Sequence, residues 1–269
     1  MGVATMNQTS SLDSAREPAL IYHAITGIEG RELTGFLHRV FVVVQDENYE
    51  LGGLPTRPQE IHPIDPHTLS AIKLFTFRGH GLPREVTLRG TYPEFFQDPR
   101  FLVMTFIADP LRSAAHAYGW YAAQDDGRPK MSFAEFLRGR KPNLYADALQ
   151  CRWWNWRSVL GKYFFLGVHE ESVKSLAVLG PKIEREFARR AQTPNVARAR
   201  YFLGRYLANP ETADAEASVE IDARVRDLSA GEVEAFRRRN RLDYRIYEYA
   251  RRQLDRDAQA TAEMEMAAA

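Results

Sequence analysis

The run RFLVMTFI at residues 100–107 constrains this chain more than any other feature. Its apolar residues do not alternate with polar ones, so a strand built from them is buried on both faces. A sheet covered by helices on both sides provides such a place. Asp109 and Pro110 follow at once: a capping side chain, then a proline suited to the first helical turn. The sequence therefore predicts a buried strand, a sharp turn and a helix running to about Ala123.

Three further segments fit the same scheme. ALIYH at 19–23 reads as a short buried strand, IKLFTF at 72–77 as another and KYFFLGV at 162–168 as a fourth. Leu33, Leu37, Val40, Phe41 and Val44 recur at helical spacing and predict a helix after the first strand. Prolines at 55, 58, 63 and 66 mark residues 46–70 as an extended loop. A helix is expected from Glu170, and the chain reads as mostly helical from about 181. Ser229 and Glu232 form a capping box there. Val233, Phe236, Ile246, Tyr247, Ala250 and Leu254 are its expected core residues. Strands alternating with helices give the expected class: α/β, with a central, mainly parallel sheet flanked by helices and a mostly helical C-terminal part. Residues 1–18 are expected to be a flexible segment, 19–256 a single domain and 257–269 a fraying tail.

Composition excludes several functions. Lys and Arg total 36 against 35 Asp and Glu, a net charge of +1, so no nucleic-acid-coating surface is expected. Cys151 is the single cysteine, which excludes an internal disulfide and a cysteine-rich zinc site. The histidines show no metal-ligand spacing, and no metal is expected. No run nears the roughly 18–20 apolar residues of a membrane-spanning helix. The first residues lack the apolar core of a secretory signal, so the expected location is cytoplasmic.

Ligands of parallel sheets bind at the carboxyl ends of the strands. That singles out the loops 24–31, 78–84 and 108–112. HAITGIEGREL offers Thr26, Gly27 and Gly30 with Arg31 as its only cation, in a strand–loop–helix arrangement suited to an anion. It lacks the Gly-Lys-Ser/Thr of a Walker loop, and a plain turn is the bland alternative. FRGHGLP places His80 between two glycines, where an imidazole can act as a base or simply bond the main chain. Arg112, His116 and Trp120 recur every four residues and share a helix face, which either meets an anion near the helix start or is solvated or packed under the neighbouring strand. CRWWNWR at 151–157 reads as core or as an interface, with stacking on sugars or bases conceivable. FRRRNRLDYR reads as a solvated helix face.

The order of these blocks resembles the sulfotransferase family, in particular the carbohydrate sulfotransferases related to heparan sulfate 2-O-sulfotransferase. LIYHAITGIEGREL resembles the family's opening strand and 5′-phosphosulfate loop. FRGHGLP looks like the block holding the catalytic histidine. FLVMTFIADPLRSAAHAY is similar to the 3′-phosphate block, and YFFLGVHEESVKSLAVLG to a later Phe-x-Gly-x-x-Glu block. The C-terminal Asn-x-x-Asp-x-x-Leu-Tyr pattern is matched by Asn240, Asp243, Ile246 and Tyr247. The likeness runs from about 19 to 255.

The resemblance implies a P-loop-like sulfotransferase fold and 3′-phosphoadenosine 5′-phosphosulfate as donor. It implies His80 as catalytic base, Thr26, Gly27, Gly30 and Arg31 at the donor's 5′ end, and Arg112 and His116 at its 3′-phosphate. The acceptor it implies is a hydroxyl of a carbohydrate or glycolipid, with no nucleic-acid partner. The departures fall in the donor site. Thr26 stands where the family has lysine, Ile28 and Glu29 where it has paired glycines, Ala108 where it has arginine, and His116 where it has serine. Two lost charge-assisted contacts of roughly 1.5–3 kcal/mol each weaken donor binding by about a hundred- to ten-thousandfold if nothing replaces them. The sequence therefore leaves two readings: an active sulfotransferase, and a catalytically inactive relative serving as a binding or assembly subunit. In the second, Trp153–Trp156 is a candidate contact for a protein partner or a second copy.

Overall fold

A computed structural model describes residues 19–25, 42–45, 71–77, 89, 96, 97, 99, 101–124, 131–190 and 213–268. Five strands form one parallel sheet: β1 (Ala19–Ile25), β2 (Val42–Gln45), β3 (Ala71–Phe77), β4 (Phe101–Ile107) and β5 (Phe165–Val168). Their spatial order is β2-β3-β1-β4-β5. The chain is thus α/β with a parallel sheet.

Strand β2 corrects the sequence reading. Helical spacing places Val44 in a helix, yet Val42–Gln45 pairs with β3 through Val42↔Ala71 to Gln45↔Leu74. Three consecutive β-branched valines favour the pleated edge, and this preference overrides the helical spacing. Residues 26–41 and 46–70 lie outside the described residues, so the start of that helix and the proline-rich loop do too.

Strand β4 is buried along nearly its whole length, as its composition requires. Tyr22 meets Phe106 edge-on at 6.2 Å, and Phe106 meets Phe165 at 5.9 Å, forming an aromatic row across three strands. Asp109 caps helix α1 (Pro110–Ala123), its Oδ1 accepting from the amides of Leu111 at 2.9 Å and Arg112 at 3.1 Å. Helices α2 (Phe133–Gly139), α3 (Leu144–Ala148) and α4 (Trp156–Leu160) lead to β5. A 3-10 turn (His169–Glu171) follows β5 where a helix was expected from Glu170, and helix α5 (Ser172–Arg190) then starts.

The C-terminal part is helical, in α6 (Ala213–Arg226), α7 (Ala230–Arg239) and α8 (Arg241–Ala268). Ser229 and Glu232 make the expected capping box. Phe236, Ile246, Ala250 and Leu254 are buried, with Val233 and Tyr247 packed beside them. The tail expected to fray from 257 is instead the end of α8. Lys182 holds Asp257 at 2.6 Å, Arg185 reaches Met264, and the Thr261 hydroxyl donates to the Asp257 carbonyl. The contacts of Lys182 and Arg185 come from α5, which sequence periodicity within the tail could not reveal.

FRRRNRLDYR is also more than a solvated face. Arg239 donates to the carbonyls of Leu137, Arg138 and Arg140, closing the open end of α2. Asn143 and Asn240 tie α3 to α8: the Asn143 amide donates to Asn240 Oδ1 at 2.9 Å, and Asn143 Oδ1 accepts from Leu242 N at 3.1 Å. Buried Asp243 accepts from the amides of Tyr145 at 3.1 Å and Ala146 at 2.9 Å. Each helix start is thereby capped from the other.

Candidate functional site

The strand register builds the candidate site. Ile25 pairs with Phe77, and Ile107 pairs with Val168. Tyr22 pairs with Met104, the last pair between β1 and β4. The carboxyl ends of β3, β1 and β4 lie at the same end of the parallel sheet, on neighbouring strands. Strand order reverses between β1 and β4, the place where such sheets open a ligand crevice. The sequence after these three strands contains every residue singled out as a site residue.

Thr26, Gly27, Gly30, Arg31 and His80 lie outside the described residues. Arg112 and His116 are described, on the first turns of α1, and both are half-buried. Arg112 stands at the helix start but faces acids. Its guanidinium pairs with Asp222 of α6, and its Nε is 3.9 Å from Glu170 Oε1. Glu170 Oε1 also accepts from the Asp109 amide at 2.8 Å. Burial raises the Glu170 pKa, opposed by that amide and by Arg112.

Helix α6 lies across the same face of α1. Arg224 pairs with Glu220 and donates to the Ala115 carbonyl at 3.3 Å. The Arg224 guanidinium lies against Gly119, where a Cβ would come within 2.6 Å of it and push it aside. Helix α6 thus packs on α1 through Arg112 and the Ala115 carbonyl, while Trp120 stays exposed.

Glu170 belongs to the Phe-x-Gly-x-x-Glu block formed with Phe165 and Gly167, so the sequence marked it without giving it a partner. Asp222 carries no sequence signal. It lies 110 positions from Arg112, and only the docking of α6 brings it close. Asp222 and Glu170 both approach the Arg112 guanidinium and offset its charge.

Beneath the edge lies a polar cluster that the sequence did not single out. His23 Nδ1 is 2.8 Å from the Tyr163 hydroxyl, and the two rings stack. His23 is only 1% exposed, and burial lowers its pKa to about 4. Burial likewise pushes the Cys151 thiol up to about 12, which makes it a poor nucleophile. Among the described residues no group of three or more His, Cys, Asp or Glu is placed to hold a metal. None of the described helices is long and apolar enough to cross a membrane.

The tryptophan cluster divides. Trp156 is core, packed edge-on against Tyr249 at 5.6 Å, whereas Trp153 and Trp154 are exposed. Comparison with family models, with curated proteins and with solved structures finds no match.

Proposed function

We propose that the chain is a sulfotransferase-like protein that transfers a sulfuryl group from 3′-phosphoadenosine 5′-phosphosulfate to a hydroxyl of a carbohydrate or glycolipid. The observation that supports this best is a parallel sheet in which β3, β1 and β4 are neighbours, so that His80, Thr26–Arg31 and Arg112 follow the carboxyl ends of adjacent strands in sequence. In this reading His80 takes the acceptor's proton as oxygen attacks sulfur and the sulfur–phosphate-oxygen bond breaks. Thr26, Gly27, Gly30 and Arg31 hold the leaving 5′-phosphate, and Arg112 and His116 the 3′-phosphate. Catalysis is then positioning and electrostatics, as in phosphoryl transfer.

One observation favours the second reading, a catalytically inactive relative used as a binding or assembly subunit. Glu170 and Asp222 already occupy Arg112, the cation that the donor would need. Calorimetric titration with 3′-phosphoadenosine 5′-phosphate separates the two. Micromolar binding that Arg112→Ala weakens by about tenfold or more supports the transferase. Acceptor screening with a His80→Ala control then follows. Absence of binding at millimolar ligand, with the chain folded by circular dichroism, overturns the donor site and leaves the inactive reading.

A further inference from the structure

Trp153 and Trp154 sit together on the turn that opens α4, and Trp154 is 82% exposed while Trp153 is 47% exposed. Large apolar side chains are seldom displayed in adjacent pairs without a use. The turn that carries them is fixed. The Asn155 side chain accepts from the Arg152 amide at 2.5 Å, and the Arg152 carbonyl accepts from the Asn155 and Trp156 amides at 3.1 Å each. Trp156, the next residue, is anchored in the core against Tyr249. The two indoles are thus held outward by a rigid base and need little ordering on contact.

Arginines flank them. The Arg245 guanidinium is 5.0 Å from the Trp153 ring centre and that of Arg241 is 5.8 Å away, both from the first turns of α8. Arg157 lies over Trp156 at 4.6 Å. Arg157, Arg241 and Arg245 are exposed and form no ion pair among the described residues. The acids close by are spoken for: Asp147 pairs with Lys141 and Arg152, and Glu248 with Arg252. The patch is positive and aromatic.

We infer that this turn is a docking surface for an anionic phospholipid bilayer. Indoles settle at the headgroup level, where an amphipathic ring meets both water and acyl chain. Guanidiniums bond lipid phosphates and can stay on an indole face while doing so. Trp154 is 82% exposed and the arginines beside the pair are exposed too, so the patch is open to an extended surface. A soluble ligand would be enclosed instead by a concave site. The inference uses none of the donor-site residues and stands apart from the proposed reaction.

The test is co-sedimentation of the full chain with vesicles of phosphatidylcholine alone and of phosphatidylcholine with one third phosphatidylglycerol. Binding is expected to the anionic vesicles only, to weaken as salt rises, and to shift tryptophan emission to the blue. The Arg241→Gln, Arg245→Gln double variant is expected to lower partitioning roughly thirtyfold, about fivefold per arginine. The Trp153→Ala, Trp154→Ala double variant is expected to abolish the blue shift at an unchanged thermal midpoint, because both side chains are exposed. Absence of binding to anionic vesicles overturns the inference. So does binding that either double variant leaves unchanged, or binding to a soluble polyuronate in preference to vesicles.

Discussion

Gly167 pairs with Phe106 across β4 and β5, and it is there because the ring fills the space a side chain would take. A Cβ at 167 would come within 2.5 Å of two Phe106 ring carbons. Gly167→Ala is therefore expected to destabilise the fold by about 1–3 kcal/mol through overpacking, read as a lower denaturant midpoint at unchanged slope. Asn143 poses a different local problem, with φ at 56° and ψ at 51° in the left-handed region. Its side chain also bonds the start of α8 and the Arg239 carbonyl. Asn143→Gly keeps the backbone and loses those bonds, whereas Asn143→Ala loses both. The alanine variant is expected to be the less stable of the two by roughly 1 kcal/mol in chemical denaturation.

Helix ends carry much of the order among the C-terminal elements. Ser229 and Ser132 each close a capping box with the glutamate three residues on. Ser229→Ala is expected to cost about 0.5–2 kcal/mol and to raise amide exchange first in the opening turn of α7. A capping box is a local pattern, so it was legible from spacing alone. The bonds of Arg239 to α2 and of Asn143 to α8 join residues about a hundred positions apart. No local pattern reports such a contact. The basic stretch 236–245 therefore looked solvated, although one arginine in it closes another helix.

Across the whole molecule, two buried groups oppose each other in acid. Folding lowers the His23 pKa from 6.5 to about 4, so the unfolded chain takes up the proton first. Stability from His23 is present above pH 6.5 and is lost as pH falls towards 4. Folding raises the Asp243 pKa from 3.8 to about 7, through burial opposed by the Tyr145 and Ala146 amides. Its contribution is largest below 3.8 and is lost as pH rises towards 7. Each slope amounts to no more than about 3–4 kcal/mol across its window, and the windows overlap. In the intact chain the His23 and Asp243 slopes are therefore expected to offset each other between about pH 4 and 6.5. His23→Gln should leave a profile that falls with pH and Asp243→Asn one that rises, both measured by denaturant titration at several pH values. Removal of residues 257–269 tests the other whole-chain feature. Losing the Lys182–Asp257 pair and buried Thr261 is expected to lower stability by about 1–2 kcal/mol, roughly 2–8 °C in thermal midpoint.

What the sequence determined alone is local in origin. The unbroken apolar run of β4 fixed a buried strand, and hence a covered parallel sheet. Asp109 and Pro110 fixed the start of α1, and apolar spacing fixed the buried faces of α7 and α8. The three strand ends that frame the candidate site followed from the same patterns. The tertiary structure alone decided which charges meet there. Glu170 and Asp222 reach Arg112 from a turn and a helix distant in sequence, and they offset the charge that the sequence alone left unpaired. It also decided which tryptophans are core and which are surface, since Trp153, Trp154 and Trp156 share one chemistry and differ only in what packs against them. Periodicity reports which face of an element is apolar. Which charges meet across elements depends on how the helices dock, and that is set by packing over the whole chain.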